Sequence, residues 1–286
     1  NNTKTKKEKS KMQSSLIDPK RFSKILNVIQ QIHATNSAIS VNVAGGGSHS
    51  ISWLLSVPGA SNTMISGNSP YCRHATRSLV NNNGISDFVT PAVAKELALA
   101  SYKQVCDSEF KTQNYNLSRI GQEKWVGVGV TAALMSKSVK KGPHRCFATV
   151  MTDNEVKSWA FELEKGSRSR LEEEFMISEF VIKILADQFG IDSTGLMQDS
   201  LLEGDRITPL EEPSCPLTEV INGDLDSVLV LGDRFIRQPK LESTVTLAGS
   251  FNPLHQGHIN LLRRSVEKAG LQSGILELTL NNPDKG

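Results

Sequence analysis

Apolar residues recur along this chain with two periods, and the change from one to the other marks its elements. Asp18 and Pro19 open a helix as N-cap and first-turn residue, with Phe22, Ile25, Leu26, Ile29 and Ile32 on one face. Ser37 to Ala44 alternates as a strand through Ile39, Val41 and Val43, then runs into Gly45-Gly46-Gly47. A helix is expected through Trp53-Leu54-Leu55, closed by Pro58-Gly59, and a short strand from Thr63 to Ser66. Thr90-Pro91 starts a helix to about Cys106, and Trp125 to Thr131 reads as a buried strand of small residues. Cys146 to Met151 and Val156 to Leu163 form a hairpin across Thr152-Asp153-Asn154. Ser169 with Glu172 makes a capping box for a helix whose Leu171, Phe175, Ile177, Phe180, Val181, Ile184 and Leu185 are core positions, ending at Gly190.

Beyond Gly190 the pattern changes. Residues 191–243 gather acidic residues with Pro209, Pro213 and Pro216, and read as a connector with one strand at Val228 to Leu231. Then come an apolar strand, Val245 to Ala248, a turn opened by Gly249, and a helix from near His258 to Ala269. A second alternating strand is expected at Leu276 to Leu280. The resulting division is a polar, Lys-rich tail over 1–15, an α/β layered domain over 16–190, the connector over 191–243, and a β-α-β segment over 244–286.

The 286 residues are 38% hydrophobic and 22% charged with net charge +2, an ordinary balance for a globular chain. That charge is too small to imply nucleic acid, and no apolar run approaches the ~20 residues of a membrane span. Cys72, Cys106, Cys146 and Cys215 are scattered without paired spacing, which fits a reducing, cytoplasmic compartment. The chain does not begin with Met, so a targeting signal upstream lies outside this reading.

The chemistry concentrates in Gly249-Ser250-Phe251-Asn252-Pro253-Leu254-His255-Gln256-Gly257-His258. A glycine leaving a strand lets a ligand approach the backbone, and the following helix points free N–H groups and a positive dipole end at the turn. His255 and His258, three apart, can both donate to phosphate oxygens. A zinc half-site is the competing reading, but no Cys or third His lies nearby, so no metal ligand is assigned. A structural turn with two solvated histidines is the other.

The pattern G-x-F-x-P-x-H-x-G-H resembles the nucleotidyltransferase superfamily, closest to nicotinamide mononucleotide adenylyltransferases. The resemblance implies attack of a mononucleotide phosphate on the α-phosphate of ATP, with pyrophosphate released. It also implies His255 and His258 on the triphosphate, Gly249, Ser250, Phe251, Asn252 and Gly257 around the nucleotide, and Mg²⁺ carried by ATP. The fold implied is the first β-α-β unit of a Rossmann-like domain, too short for a complete sheet, so the chain as given is not expected to be a working transferase.

In the first domain, Gly45-Gly46-Gly47 follows a strand but lacks the Gly-Lys-[Ser/Thr] of a P-loop and the G-x-G-x-x-G of a dinucleotide fold. It stands between a ligand turn and a tight structural turn. Ser48-His49-Ser50 offers a hydroxyl beside an imidazole, but sequence neighbours rarely reach bonding geometry. This Gly turn, Val57-Pro58-Gly59-Ala60-Ser61, Tyr71, Thr90-Pro91-Ala92-Val93-Ala94 and the Val-Gly-Val-Gly-Val strand near Gly129 together resemble the C-terminal domain of CinA, whose active members deamidate nicotinamide mononucleotide. Where those members carry Ala-Glu-Ser-Cys-Thr-Gly-Gly, Val43 and Ala44 stand at the Glu and Ser positions. Their Tyr-Ser-Asn-Glu-Ala-Lys is here Tyr71-Cys72-Arg73-His74-Ala75-Thr76, and Gly166-Ser167-Arg168 keeps one arginine while Glu172 replaces a second. The resemblance therefore implies a deamidase scaffold without its machinery. A non-catalytic nucleotide-binding or dimerising module, and a residual deamidase, are the alternatives to the transferase; nucleotides are the expected partners, and homo-oligomer formation is left open.

Overall fold

Ser37–Ala44, a strand buried along its whole length (β1), organises the first part of the chain. The computed structural model describes residues 18–35, 37–80, 84–107, 124–138, 141–153, 155–211, 216–221, 223–231, 234–251 and 253–278. The expectations for 1–15, Asn154, Cys215, Asn252 and 279–280 fall outside these residues. The chain divides into two compact units, residues 1–212 and 213–286.

The first unit runs α1 (Pro19–His33), β1, α2 (Ser48–Ser56), β2 (Met64–Asn68), α3 (Arg73–Val80), α4 (Pro91–Asp107), β3 (Lys124–Ala133), β4 (His144–Met151), β5 (Val156–Leu163), α5 (Arg170–Gln188) and β6 (Arg206–Leu210). Its six-stranded sheet has the order β2-β1-β3-β4-β5-β6. β1 pairs parallel with β2 and β3, and the strands from β3 to β6 pair antiparallel. This is an α/β fold.

The alternation of β1 sorts its residues between two different layers. Ile39, Val41 and Val43 join Val126, Val128 and Val130 in the main core with Ile25, Ile29 and Ile32 of α1, Trp53 and Leu54 of α2, and Ile177, Phe180 and Val181 of α5. The intervening residues are small or polar and face α4. Asn42 Nδ2 donates to the Leu97 carbonyl at 3.2 Å, and Ser40 Oγ to Gln104 Oε1 at 2.8 Å. β3 puts Gly127 and Gly129 against the same helix: a Cβ on Gly129 would lie 2.2 Å from both Ala94 O and Ala98 N. The small residues expected in this strand thus serve one purpose, to let α4 rest directly on sheet backbone.

Two helix caps match their sequence signals. Asp18 accepts from the Lys20 N–H at 3.1 Å, and the Ser169/Glu172 capping box forms in full. Two expectations are corrected. The connector instead contributes β6, which pairs with β5 as the last strand of the sheet and brings 206–210 into the first unit. Pro209 is tolerated there because β6 is an edge strand. The short strand expected at Thr63 falls on Met64–Asn68, and α3 was not anticipated.

The second unit contains α6 (Pro216–Ile221), a hairpin of β7 (Val228–Leu231) with β8 (Arg234–Arg237), then β9 (Thr244–Ala248), α7 (Gln256–Ala269) and β10 (Ser273–Glu277). β9 and β10 pair in parallel, so the β-α-β reading holds, with its second strand three residues earlier than expected. Gly274 lies under α7, where a Cβ would meet Leu262 and Val266 at 2.8–2.9 Å. No helix among the described residues is long and apolar enough to cross a membrane.

Candidate functional site

In the second unit the expected phosphate turn leads from β9 into α7. The Gly249 N–H donates to the Glu277 carbonyl at 3.0 Å, extending the β9–β10 ladder by one bond. α7 begins at Gln256 rather than near His258, because His255 itself is the N-cap. Its Nδ1 accepts the Gly257 N–H at 3.2 Å, while His258 Nδ1 accepts the His255 N–H at 3.3 Å. The two imidazoles thus form a capping box in place of the usual hydroxyl and carboxylate.

This cap determines the tautomers. A neutral imidazole that accepts through Nδ1 carries its proton on Nε2. Each ring therefore retains one N–H donor that the cap does not use. The rings stack with centroids 3.7 Å apart and planes 23° from parallel. Gly257 makes the arrangement possible, since a Cβ there would lie 3.0 Å from His255 Cε1 and Nδ1. Phe251 packs on His258, whereas Gly249 and Ser250 stand exposed. The structure thus gathers Gly249, Phe251, His255, Gly257 and His258 around one helix start; Asn252 lies outside the described residues.

In the first unit, the Gly45-Gly46-Gly47 turn is a tight structural turn. Gly45 and Gly47 have φ of 83° and 94°, and a Cβ on Gly45 would sit 2.2 Å from Ala132 O. The N-terminus of α2 that follows already holds an anion, the carboxylate of Glu174 from α5. Its Oε1 accepts from the Ser48 N–H at 2.6 Å and from Ser48 Oγ at 2.8 Å. Arg170 closes the group, 3.5 Å from Glu174 Oε2 and bonded to the Gly45 carbonyl at 2.8 Å. The position a phosphate would take is filled by the protein's own side chain.

The other first-unit candidates sit in differing surroundings. Ser48 and His49 do not bond each other; both face Glu174, with His49 Nδ1 3.6 Å from Oε1. Val43 is in the main core, and Ala44 is buried with Val80, Ile85, Val93 and Leu97. The Thr76 hydroxyl donates to the Pro70 carbonyl at 3.0 Å, and Tyr71 is 80% exposed. Arg168 is engaged by Asp205, with Nη1 to Oδ1 at 2.8 Å, and donates to the Ser200 carbonyl. Burial acts against ionisation of Asp205, yet Arg168 and the Leu202 and Glu164 N–H groups hold its carboxyl below the usual aspartate value.

Sequence reasoning treated α5 as core packing and missed its buried acids. Glu173 accepts the Met135 N–H at 2.5 Å and meets His144 Nδ1 at 2.5 Å, while Glu179 takes Arg21 Nε at 3.0 Å and the Met197 N–H at 2.9 Å. The available signal was placement: Glu173 and Glu174 precede Phe175 and Met176 within an otherwise apolar pattern, where at least one had to face inward.

No family model matches this chain, and no curated protein matches it. Solved structures do resemble it. The competence/damage inducible protein CihA from Agrobacterium tumefaciens is 15% identical over 57% of this chain and 94% of its own, with a TM-score of 0.46. The CinA superfamily protein from Escherichia coli is 12% identical over 58% and 88%, with a TM-score of 0.42. The competence damage-inducible protein A from Klebsiella pneumoniae is 8% identical over 59% and 97%, with a TM-score of 0.44.

Proposed function

We propose that the second unit is a nucleotide-binding part of a nucleotidyltransferase, with the turn between β9 and α7 receiving the triphosphate of ATP. One observation carries this reading: two imidazoles at a helix start whose Nδ1 atoms are tied to backbone N–H groups, leaving both Nε2–H groups as donors. Fixed donors of this kind suit a phosphate chain on which charge grows during transfer. A mononucleotide such as nicotinamide mononucleotide is the acceptor that the motif's resemblance suggests, and pyrophosphate is the leaving group. Ser250 would meet the phosphates through its backbone, while the Gly249 N–H stays on the Glu277 carbonyl and the glycine leaves room for the approach. Mg²⁺ would enter as part of the MgATP substrate, held chiefly by phosphate oxygens and water.

For the first unit we propose a non-catalytic CinA-like module. Supporting this are the Glu174 carboxylate filling the α2 N-terminus and the apolar packing around Ala44. Amide hydrolysis needs an activated nucleophile or water, and neither Ala44 nor the bonded Thr76 supplies one.

Calorimetric titration of the 286-residue chain with MgATP tests the transferase reading. Saturable binding, weakened about tenfold or more by His258→Ala through loss of a charge-assisted donor, supports it. Wild-type protein that takes up no MgATP overturns it. Where pyrophosphate release can be measured, His258→Ala should slow it by about 10²–10³-fold.

A further inference from the structure

We infer that Phe251 is a positioning residue that clamps the His258 imidazole in its donor orientation; for its role toward phosphate, this rests on the proposed reading of the turn. The bond holding His258 to the backbone is long, 3.3 Å from the His255 nitrogen to Nδ1, so it restrains rotation of the ring about Cβ–Cγ only weakly. Two neighbours add to that restraint. His255 stacks on one side at 3.7 Å, and Phe251 meets His258 at 5.2 Å with the rings 81° apart. That edge-to-face geometry is the favoured one between aromatic rings.

Two backbone features exist to bring Phe251 there. Its φ is 44°, in the left-handed region that a residue with a bulky side chain rarely adopts. The ring then folds over Gly249, where a Cβ would stand 3.0 Å from Cε1 and Cζ. The aromatic residue and the glycine two before it therefore act as a pair: the glycine leaves the space, and the phenyl ring uses it to reach His258. Phe251 carries no polar side-chain atom, so it acts on a phosphate only through the imidazole it holds.

The test is made on the full chain labelled with ¹⁵N-histidine, using long-range ¹H–¹⁵N correlations that report imidazole tautomers. In the wild type, His258, assigned through His258→Ala, should show a single Nε2–H tautomer. Phe251→Ala should shift its signals toward the tautomer average with the histidines of the first unit unmoved, and Phe251→Tyr should restore the wild-type pattern. If Phe251→Ala fails to fold, Gly249→Ala, which crowds the ring without deleting it, is expected to move the same signals. Unchanged His258 correlations in whichever variant folds would overturn the inference. In a second arm, inorganic tripolyphosphate should bind Phe251→Ala about tenfold more weakly and Phe251→Tyr near wild-type strength. Altered His258 signals with unchanged tripolyphosphate affinity would remove the positioning role. No tripolyphosphate binding by the wild type would sink the nucleotide reading instead, while the tautomer arm still decides whether Phe251 holds His258.

Discussion

Replacing Glu174 with alanine removes the anion that sits at the start of α2. Two short hydrogen bonds disappear, from the Ser48 N–H at 2.6 Å and from Ser48 Oγ at 2.8 Å. Bonds to a charged partner are worth about 1.5–3 kcal/mol each, with about 0.3–1 kcal/mol more from the helix start. Ser48 is exposed, however, so water can take up both donors in the variant, and the loss should come nearer one such bond than two. We expect Glu174→Ala to destabilise the first unit by about 2–3 kcal/mol, and Glu174→Gln, which keeps an acceptor, by about 1 kcal/mol. Urea unfolding followed by tryptophan fluorescence reads this unit alone, because all three tryptophans, Trp53, Trp125 and Trp159, lie in it. The decisive measurement is repetition in sulfate, with chloride at equal ionic strength as control. An anion entering the vacated position at ten times its dissociation constant returns about 1.4 kcal/mol to the alanine variant. Sulfate also stabilises proteins generally, so only the excess over the wild-type response counts. A loss below about 0.5 kcal/mol, or equal sulfate responses in both proteins, would refute the assignment of Glu174 as an internal anion.

Two further outcomes follow from the packing and the buried ion pairs. Gly129→Val should cost about 3 kcal/mol or more in urea unfolding, because its Cβ would overlap backbone atoms of α4 at 2.2 Å; a loss under about 1 kcal/mol would mean that α4 does not lie directly on β3. Asp205 is held below its ordinary value of 3.8, so its contribution is complete above that pH and is lost as pH falls through the depressed value. The stability gap between wild type and Asp205→Asn should accordingly be full at pH 7 and narrow steadily below about pH 4; a gap independent of pH would show that the carboxylate charge contributes nothing.

The parts of the fold legible in the sequence are those decided within a few residues. Asp18 before Pro19 and Ser169 before Glu172 are complete cap signals, and each forms as written. The alternation in Ser37–Ala44 was equally plain, yet the purpose of its second face was not. Ser40 and Asn42 look like solvent positions until α4, arriving some fifty residues later, offers Gln104 and the Leu97 carbonyl. β6 was obscured for a related reason: proline and acidic residues in 191–243 argue against a strand interior, and only an edge position beside β5 removes the objection.

The candidate sites divide along the same line, between chemistry held by local geometry and chemistry completed from afar. The imidazole pair is local: His255 caps a helix whose third residue is His258, and both bonds stay within three positions. Its constellation could be read from spacing, although the cap role, which moves the helix start to Gln256, could not. The Gly45-Gly46-Gly47 turn has the same outline, a strand, glycines and a helix start, and sequence left it open between ligand and structure. What closes it is Glu174, 126 residues from Ser48, and no local rule announces that partner. A glycine turn before a helix is therefore an anion site only until the rest of the chain supplies an anion. In this protein the first such turn is filled by a carboxylate, whereas at the second the cap leaves both Nε2–H groups unused, and on that difference rests the proposal of a nucleotide site in the second unit.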